Sequence, residues 1–299
     1  MFIFEFSVLL LSTTTSVIFS KMKTKTTKSF ISLQLVFLSS FISLSLGANC
    51  KGCTNLDSAT FDKITSKFDV SLIKFDNYHC YTGGPEYATY RQVALDLATI
   101  DNLVVGEVQL KEGGGTKNDD LAEKYGITKD FYAPARQRPS LILLVRDRVN
   151  NKIIEAFKYE EEEEWEVDSI KYFIKRKSDA VTITLPGCSK AFDLFTKLYL
   201  NGDDRQKTKA LEFAEKAFLK LEDGSDEKFA AETYIKVFRK LAGGIGIEYP
   251  RIEMERTKKL LKGGKQSEKQ SSQLKQKLNI LRSFVRDEDH IGHYHGKKK

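Results

Sequence analysis

Apolar positions along the chain fall into two regimes. In the first, strand and helix patterns alternate. Val70 to Phe75 is an apolar run of strand length, Ser140 to Val145 is a continuous one, and Leu103 to Leu110 alternates. Lys152 to Phe157 is a further strand, reached from Ser140–Val145 through the polar turn Asn150-Asn151. Helical spacing predicts Ser58 to Lys67, with Phe61 and Ile64 inward, and Pro85 to Thr99, with Tyr87, Tyr90, Val93, Ala94 and Leu97 three and four apart. A short helix, Asp119 to Tyr125, is capped by Asn118 or Asp119 and stopped by Gly126. Val167 to Lys177 places Ile170, Phe173 and Ile174 on one face.

From Pro186-Gly187-Cys188 onward the pattern is helical throughout. Cys188 to Leu200 would bury Phe192, Phe195, Leu198 and Tyr199. Asp203 to Leu221 would bury Ala210, Phe213, Ala214, Ala217 and Phe218. Ser225 to Ala242 would bury Phe229, Tyr234, Val237, Phe238 and Leu241. Tyr249 to Lys262 would use Ile252, Leu260 and Leu261, and Ser267 to Val285 would use Leu274, Leu278, Leu281 and Val285. The separators, Gly202-Asp203, Asp223-Gly224-Ser225, Gly243-Gly244 and Gly263-Gly264, serve as stops and N-caps.

The predicted fold is therefore an α/β domain over 49–180 and an all-α five-helix bundle over 186–286, followed by a basic, histidine-containing tail, 287–299. The first domain runs αβ, αβ, α, ββ, α, the thioredoxin-like order. In that order a cysteine-bearing loop joins strand Val70–Phe75 to helix Pro85–Thr99, where unpaired helix N–H groups lower a thiol's pKa. Cys80 occupies the nucleophile's place. A resolving cysteine belongs three residues later, and that position is Gly83. Pro139, directly before the hairpin, stands where this fold holds a cis proline facing the loop.

Two apolar stretches, Phe2 to Phe19 and Phe30 to Leu46, precede the domains. The second follows Met22, Lys23, Lys25 and Lys28 and ends at Gly47-Ala48, so residues 1–48 read as a secretory signal region with an alternative start at Met22. A two-span anchor is the competing reading, but both stretches are short and rich in Ser or Thr. No later segment is able to span a bilayer, so the mature chain is expected to make no stable membrane insertion.

Charge narrows the function classes. The formal charge is +7, and residues 1–48 hold four Lys and one Glu, leaving +7 − 3 = +4 for the rest. That small, interspersed surplus argues against nucleic acid as a partner. Gly113-Gly114-Gly115 lacks the Gly-Lys-Ser/Thr ending of a phosphate loop. Glu160 to Glu164 is most simply a solvated acidic loop. Four cysteines are too few for a disulfide-stapled scaffold. Cys50-Lys-Gly-Cys53 invites a redox or zinc reading, yet it precedes any predicted strand, and zinc would need two more ligands from Cys80, Cys188 and His79. A local Cys50–Cys53 disulfide, or two idle thiols, is the simpler expectation. No metal or cofactor is expected; His290, His293 and His295 belong to a free polar tail.

Several stretches resemble the endoplasmic reticulum resident protein 29 family: Gly52-Cys53 with Leu56-Asp57 and Phe61-Asp62-Lys63; Lys74-Phe75-Asp76; Leu121 to Tyr125; Pro186-Gly187-Cys188; and Leu278 to Leu281 with Phe284. The resemblance spans about Gly52 to Phe284. It implies a redox-inactive protein of the endoplasmic reticulum lumen, not an enzyme, homodimeric through its thioredoxin-like domain, that binds secretory clients and assists their folding and export. The family's loop, Tyr-Pro-Tyr-Gly-Glu-Lys, corresponds here to His79 through Gly84, and Tyr81 is the residue retained. Tyr78, His79, Tyr81 and Pro139 are thus the expected peptide-binding residues. The sequence given does not end in K-D-E-L, so secretion is the alternative to lumenal residence. The alternative activity is a disulfide isomerase-like enzyme with Cys80 as its reactive thiol.

Overall fold

The computed structural model describes residues 50–77, 84–112, 115–116, 118–127, 139–147, 150, 152–160 and 163–285. Among them a six-stranded sheet forms from β1 (Thr54–Leu56), β2 (Val70–Asn77), β3 (Leu103–Glu112), β4 (Gly115–Thr116), β5 (Ser140–Asp147) and β6 (Lys152–Lys158). The order is β1-β3-β2-β5-β6, with β4 paired to β3. β1 and β2 run parallel to β3, while β5 is antiparallel to both β2 and β6. Four helices accompany it: α1 (Phe61–Thr65), α2 (Pro85–Leu97), α3 (Asp119–Lys124) and α4 (Val167–Lys177).

Period-two alternation assigns each strand residue to a face. On one face Val70, Leu72, Val105, Leu141 and Leu143 pack with Tyr90, Val93 and Ala94 of α2 and Ile170, Phe173 and Ile174 of α4. On the other, Ile73, Phe75, Val108, Leu110, Ile142 and Leu144 pack with Phe61 of α1 and Leu121 and Ala122 of α3. Sheet burial on both faces explains why β5 reads as an unbroken apolar run and why β2 is apolar on both faces around Lys74. This is the thioredoxin-like arrangement. The three-residue β1 and the two-residue β4 have no hydrophobic period to betray them, and they are absent from the sequence-based prediction.

Five further helices follow: α5 (Lys190–Asn201), α6 (Asp204–Phe218), α7 (Asp226–Ala242), α8 (Tyr249–Lys262) and α9 (Glu268–Arg282). Asp203 with Gln206 and Ser267 with Gln270 form reciprocal capping boxes at α6 and α9, and Ser225 caps α7. Phe192, Tyr234, Phe238 and Phe284 are the large side chains of the core. The inward faces differ in part from the periodic assignment. Phe213, Phe229, Ile252 and Leu260 are exposed. In α8 the inward row is Glu253, Met254, Thr257 and Leu261; Met254 packs on the core, Thr257 is buried, and Glu253 pairs with Lys277 of α9. Ile252 and Leu260 face outward.

The helical region is fastened to α4 by polar bonds. Arg282, 5% exposed, donates to Ser169 Oγ at 2.8 Å and to Asn279 Oδ1 at 2.9 Å. Asn279 Nδ2 in turn donates to Asp168 Oδ2 at 2.8 Å and to the Pro186 carbonyl at 3.2 Å. Tyr172 donates to the Arg282 carbonyl at 3.1 Å, and Lys175 Nζ meets Asp193 Oδ2 at 2.6 Å.

Candidate functional site

Tyr78, His79, Cys80 and Tyr81 lie outside the described residues. So does the peptide bond entering Pro139, since it begins at Arg138. The frame around that loop is described. β2 ends at Asn77, and α2 opens with Pro85 behind an extended Gly84 (φ −74°, ψ 163°). Pro at the first helical position loses no hydrogen bond and presets the helical φ. Pro139 is buried, directly ahead of β5. Because β5 pairs with β2 in the register Phe75↔Ser140, Pro139 sits beside the loop-proximal end of β2.

Behind this frame lies a charge cluster that the sequence analysis did not single out. Lys74 is 3% exposed on the face shared with Leu72. Its Nζ is 3.1 Å from Asp76 Oδ2 and 3.4 Å from Glu107 Oε2. Lys74 and Glu107 are register partners across β2 and β3. The ammonium also lies 4.9 Å from the Tyr87 ring centre and 5.3 Å from that of Tyr90. The Tyr90 hydroxyl is 2.5 Å from the Gly106 carbonyl and 3.2 Å from that of Leu72. Burial, reinforced by Glu107, holds the Tyr90 phenol well above its ordinary pKa and raises that of Tyr87. The signal was present: Lys74 and Glu107 are charges at core-facing positions of otherwise apolar strands.

Cys50 and Cys53 are joined in a disulfide, Cα–Cα 5.2 Å, just ahead of β1. Cys50 is 5% exposed within the α2-side core, and Cys53 is half-buried against it. Both sulfurs and a Glu107 carboxylate oxygen lie within 4.8 Å of one another. As a disulfide the pair offers no thiolate, the form in which cysteine binds metal. Cys188, at the head of the helical region, carries a free thiol. Burial, then the nearby Asp193 carboxylate, pushes its pKa up to about 11. No helix of the described residues is long and apolar enough to cross a membrane.

Comparison with known proteins matches residues 48–186 to "ERp29, N-terminal domain" and residues 187–284 to "Endoplasmic reticulum protein ERp29, C-terminal domain". The chain belongs to the ERp29 family. Protein windbeutel of Drosophila melanogaster is 29% identical over 257 residues, covering 85% of this chain and 92% of that protein. Among solved structures, the first thioredoxin domain of mouse protein disulfide-isomerase A4 covers 46% of this chain and 84% of its own, at 16% identity and TM-score 0.32. The human ERp44 zinc-bound form covers 42% of this chain and 32% of its own, at 20% identity and TM-score 0.31. This ERp29 family member is thus a folding-related protein of the endoplasmic reticulum family, with a thioredoxin-like domain and a helical C-terminal region.

Proposed function

We propose that this ERp29 family protein is a non-catalytic chaperone or escort factor of the endoplasmic reticulum lumen. It holds exposed segments of secretory clients in the groove between the β2–α2 loop and Pro139, and it works as a homodimer through its thioredoxin-like domain. The observation that carries this reading is the substitution at the loop. β2 and α2 flank the loop as strand and helix flank an exchange site, yet in the sequence Gly83 stands where the second sulfur belongs. Cys80 alone forms a mixed disulfide but has no neighbouring thiol in the loop to resolve it. Tyr78 and Tyr81 bring apolar rings with a polar tip, suited to stacking on an extended client segment, and His79 adds a polar contact.

The test combines binding and turnover. A Tyr81→Ala chain loses affinity for an unfolded secretory client while its circular dichroism spectrum is unchanged. Replacing Cys80 by Ser leaves insulin reduction where it was. Unimpaired client binding by Tyr81→Ala would remove the groove from the account. Insulin reduction lost with Cys80 would replace the escort with a thiol enzyme.

A further inference from the structure

We propose that the outer face of α8, together with the turn that leads into it from α7, docks reversibly on an anionic lipid surface. The face belongs to the helical region, so the proposal goes beyond the client groove of the thioredoxin-like domain.

Apolar exposure marks the place. Of nine large apolar side chains exposed among the described residues, four fall in one short segment: Ile245, Ile247, Ile252 and Leu260. Leaving such a group in water costs free energy that a covering surface recovers. The segment is held in shape. The Ile245 N–H donates to the Lys240 carbonyl at 3.3 Å, and the Tyr249 N–H to the Gly246 carbonyl at 3.2 Å. Because α8 turns Met254 and Thr257 inward, Ile252 in its first turn and Leu260 in its last stay on the uncovered side.

Charge identifies the occupant. Residues 249–282 carry ten Lys or Arg against three Glu, whereas residues 190–248 carry eleven basic and eleven acidic side chains. The basic surplus of the helices therefore sits on α8, α9 and the turn between them. Its exposed members include Arg256, Lys259, Lys262, Lys265 and Lys269. These four lysines form no ion pair among the described residues. The nearby acids are engaged: Glu248 lies 3.9 Å from Arg251, Glu255 lies 3.6 Å from Lys258, and Glu253 pairs with Lys277. Glu268, in the first turn of α9, is the remaining acid of the segment.

A second copy of this chain would bring the same basic face against this one and be repelled. Protein interfaces favour aromatic rings and arginine and are poor in lysine, while this face offers isoleucine, leucine and lysine. Aliphatic side chains ringed by flexible lysines suit the boundary between acyl chains and headgroups. There the aliphatics sink in, and the ammonium groups meet headgroup phosphate and carboxylate. The contact is peripheral, since no helix of the described residues is long and apolar enough to cross a membrane.

The test is flotation of the chain, as a secretory host processes it, with two kinds of vesicle. One is an equal mixture of phosphatidylcholine and phosphatidylserine, the other phosphatidylcholine alone. All variants share one N-terminus, so any contribution of that end is common to them. The unsubstituted chain floats with the anionic vesicles, binds the neutral ones at least ~tenfold less, and is released as salt rises. Ile252→Ser with Leu260→Ser, and separately Lys259→Glu with Lys262→Glu, each weaken anionic binding about tenfold or more. Leu219→Ser with Lys220→Glu, a matched pair of exposed changes just after α6, leaves it unaltered. Circular dichroism checks the fold of each chain, and the single changes Ile252→Ser and Lys259→Glu carry the test if a double variant misfolds. No flotation, equal flotation with both vesicles, or full binding by either α8 variant would overturn the proposal. Polyglutamate bound as tightly as the vesicles, and equally by Ile252→Ser with Leu260→Ser, would overturn it in favour of an acidic polypeptide.

Discussion

Lys74 and Glu107 face each other across β2 and β3 as register partners, and their charged ends meet at 3.4 Å beside Asp76, on a sheet face whose packed residues Val70, Leu72, Val105, Leu141 and Leu143 are apolar. The pair shows how the sheet carries chemistry into its core. Each charge is tolerable there because the other is present.

Removing the ammonium leaves two partly buried carboxylates, Asp76 and Glu107, without it. Lys74→Met is expected to destabilise the thioredoxin-like domain by about 3 kcal/mol, the usual cost of breaking a buried pair from one side. Lys74→Met with Glu107→Gln costs less than the sum of the two single changes, since the pair is then removed together. Denaturant unfolding of the three variants measures both. Additive effects would mean that the two groups do not interact.

Arg282 joins the helical region to α4. Truncation to Ala strands the Ser169 hydroxyl and removes the guanidinium from its place 5.5 Å from the Tyr172 ring centre. The expected loss is about 2–4 kcal/mol, from charged hydrogen bonds and packing together. Limited proteolysis between α4 and α5 should accelerate in Arg282→Ala. An unchanged cleavage rate would show that the polar fastening contributes little.

Gly187 and Gly126 both have positive φ, at +79° and +66°. Only Gly187 is also crowded: a Cβ there would lie 2.5 Å from the Gln276 Cβ, whereas around Gly126 nothing lies within 4 Å. Gly187→Ala is expected to cost about 2–3 kcal/mol and Gly126→Ala about 1 kcal/mol. Thermal unfolding of the two variants should rank them in that order.

The Cys188 thiol stays protonated well into alkaline pH, with burial and Asp193 raising it from 9.0 to about 11. Native-chain alkylation of Cys188 should therefore be slow at pH 8 and quicken as pH approaches 11. Because the folded pKa exceeds the unfolded one, the contribution to stability is fully present below about 9 and is lost as pH rises to about 11. Cys188→Ala should flatten that part of the stability curve. Fast alkylation of Cys188 itself in the native chain at neutral pH would contradict the burial of this group.

Most elements were legible because their apolar periods are long. Helix α4 occupies the predicted Val167–Lys177, and α8 the predicted Tyr249–Lys262. Period alone does not choose between faces of a helix that is only half covered. Ile252, Leu260 and Leu261 were assigned inward, whereas the covered row is Met254, Thr257 and Leu261, and Ile252 and Leu260 are exposed. Candidate chemistry was legible where a spacing carries it, as with Cys80 and Gly83 or Cys50 and Cys53. Glu107 was not, because its meaning comes from β1 and β3 pairing, which brings a disulfide 54 residues or more upstream beside it. Three residues of β1 leave no pattern from which that pairing could be read.

The central claim is that clients are held without the thiols of the first domain. Its most direct test is suppression of aggregation of an unfolded secretory client by a chain carrying Cys50→Ser, Cys53→Ser and Cys80→Ser together. The account predicts protection equal to that given by the unsubstituted chain. Loss of protection in the substituted chain, with its fold intact, would show that covalent capture rather than the groove holds the client.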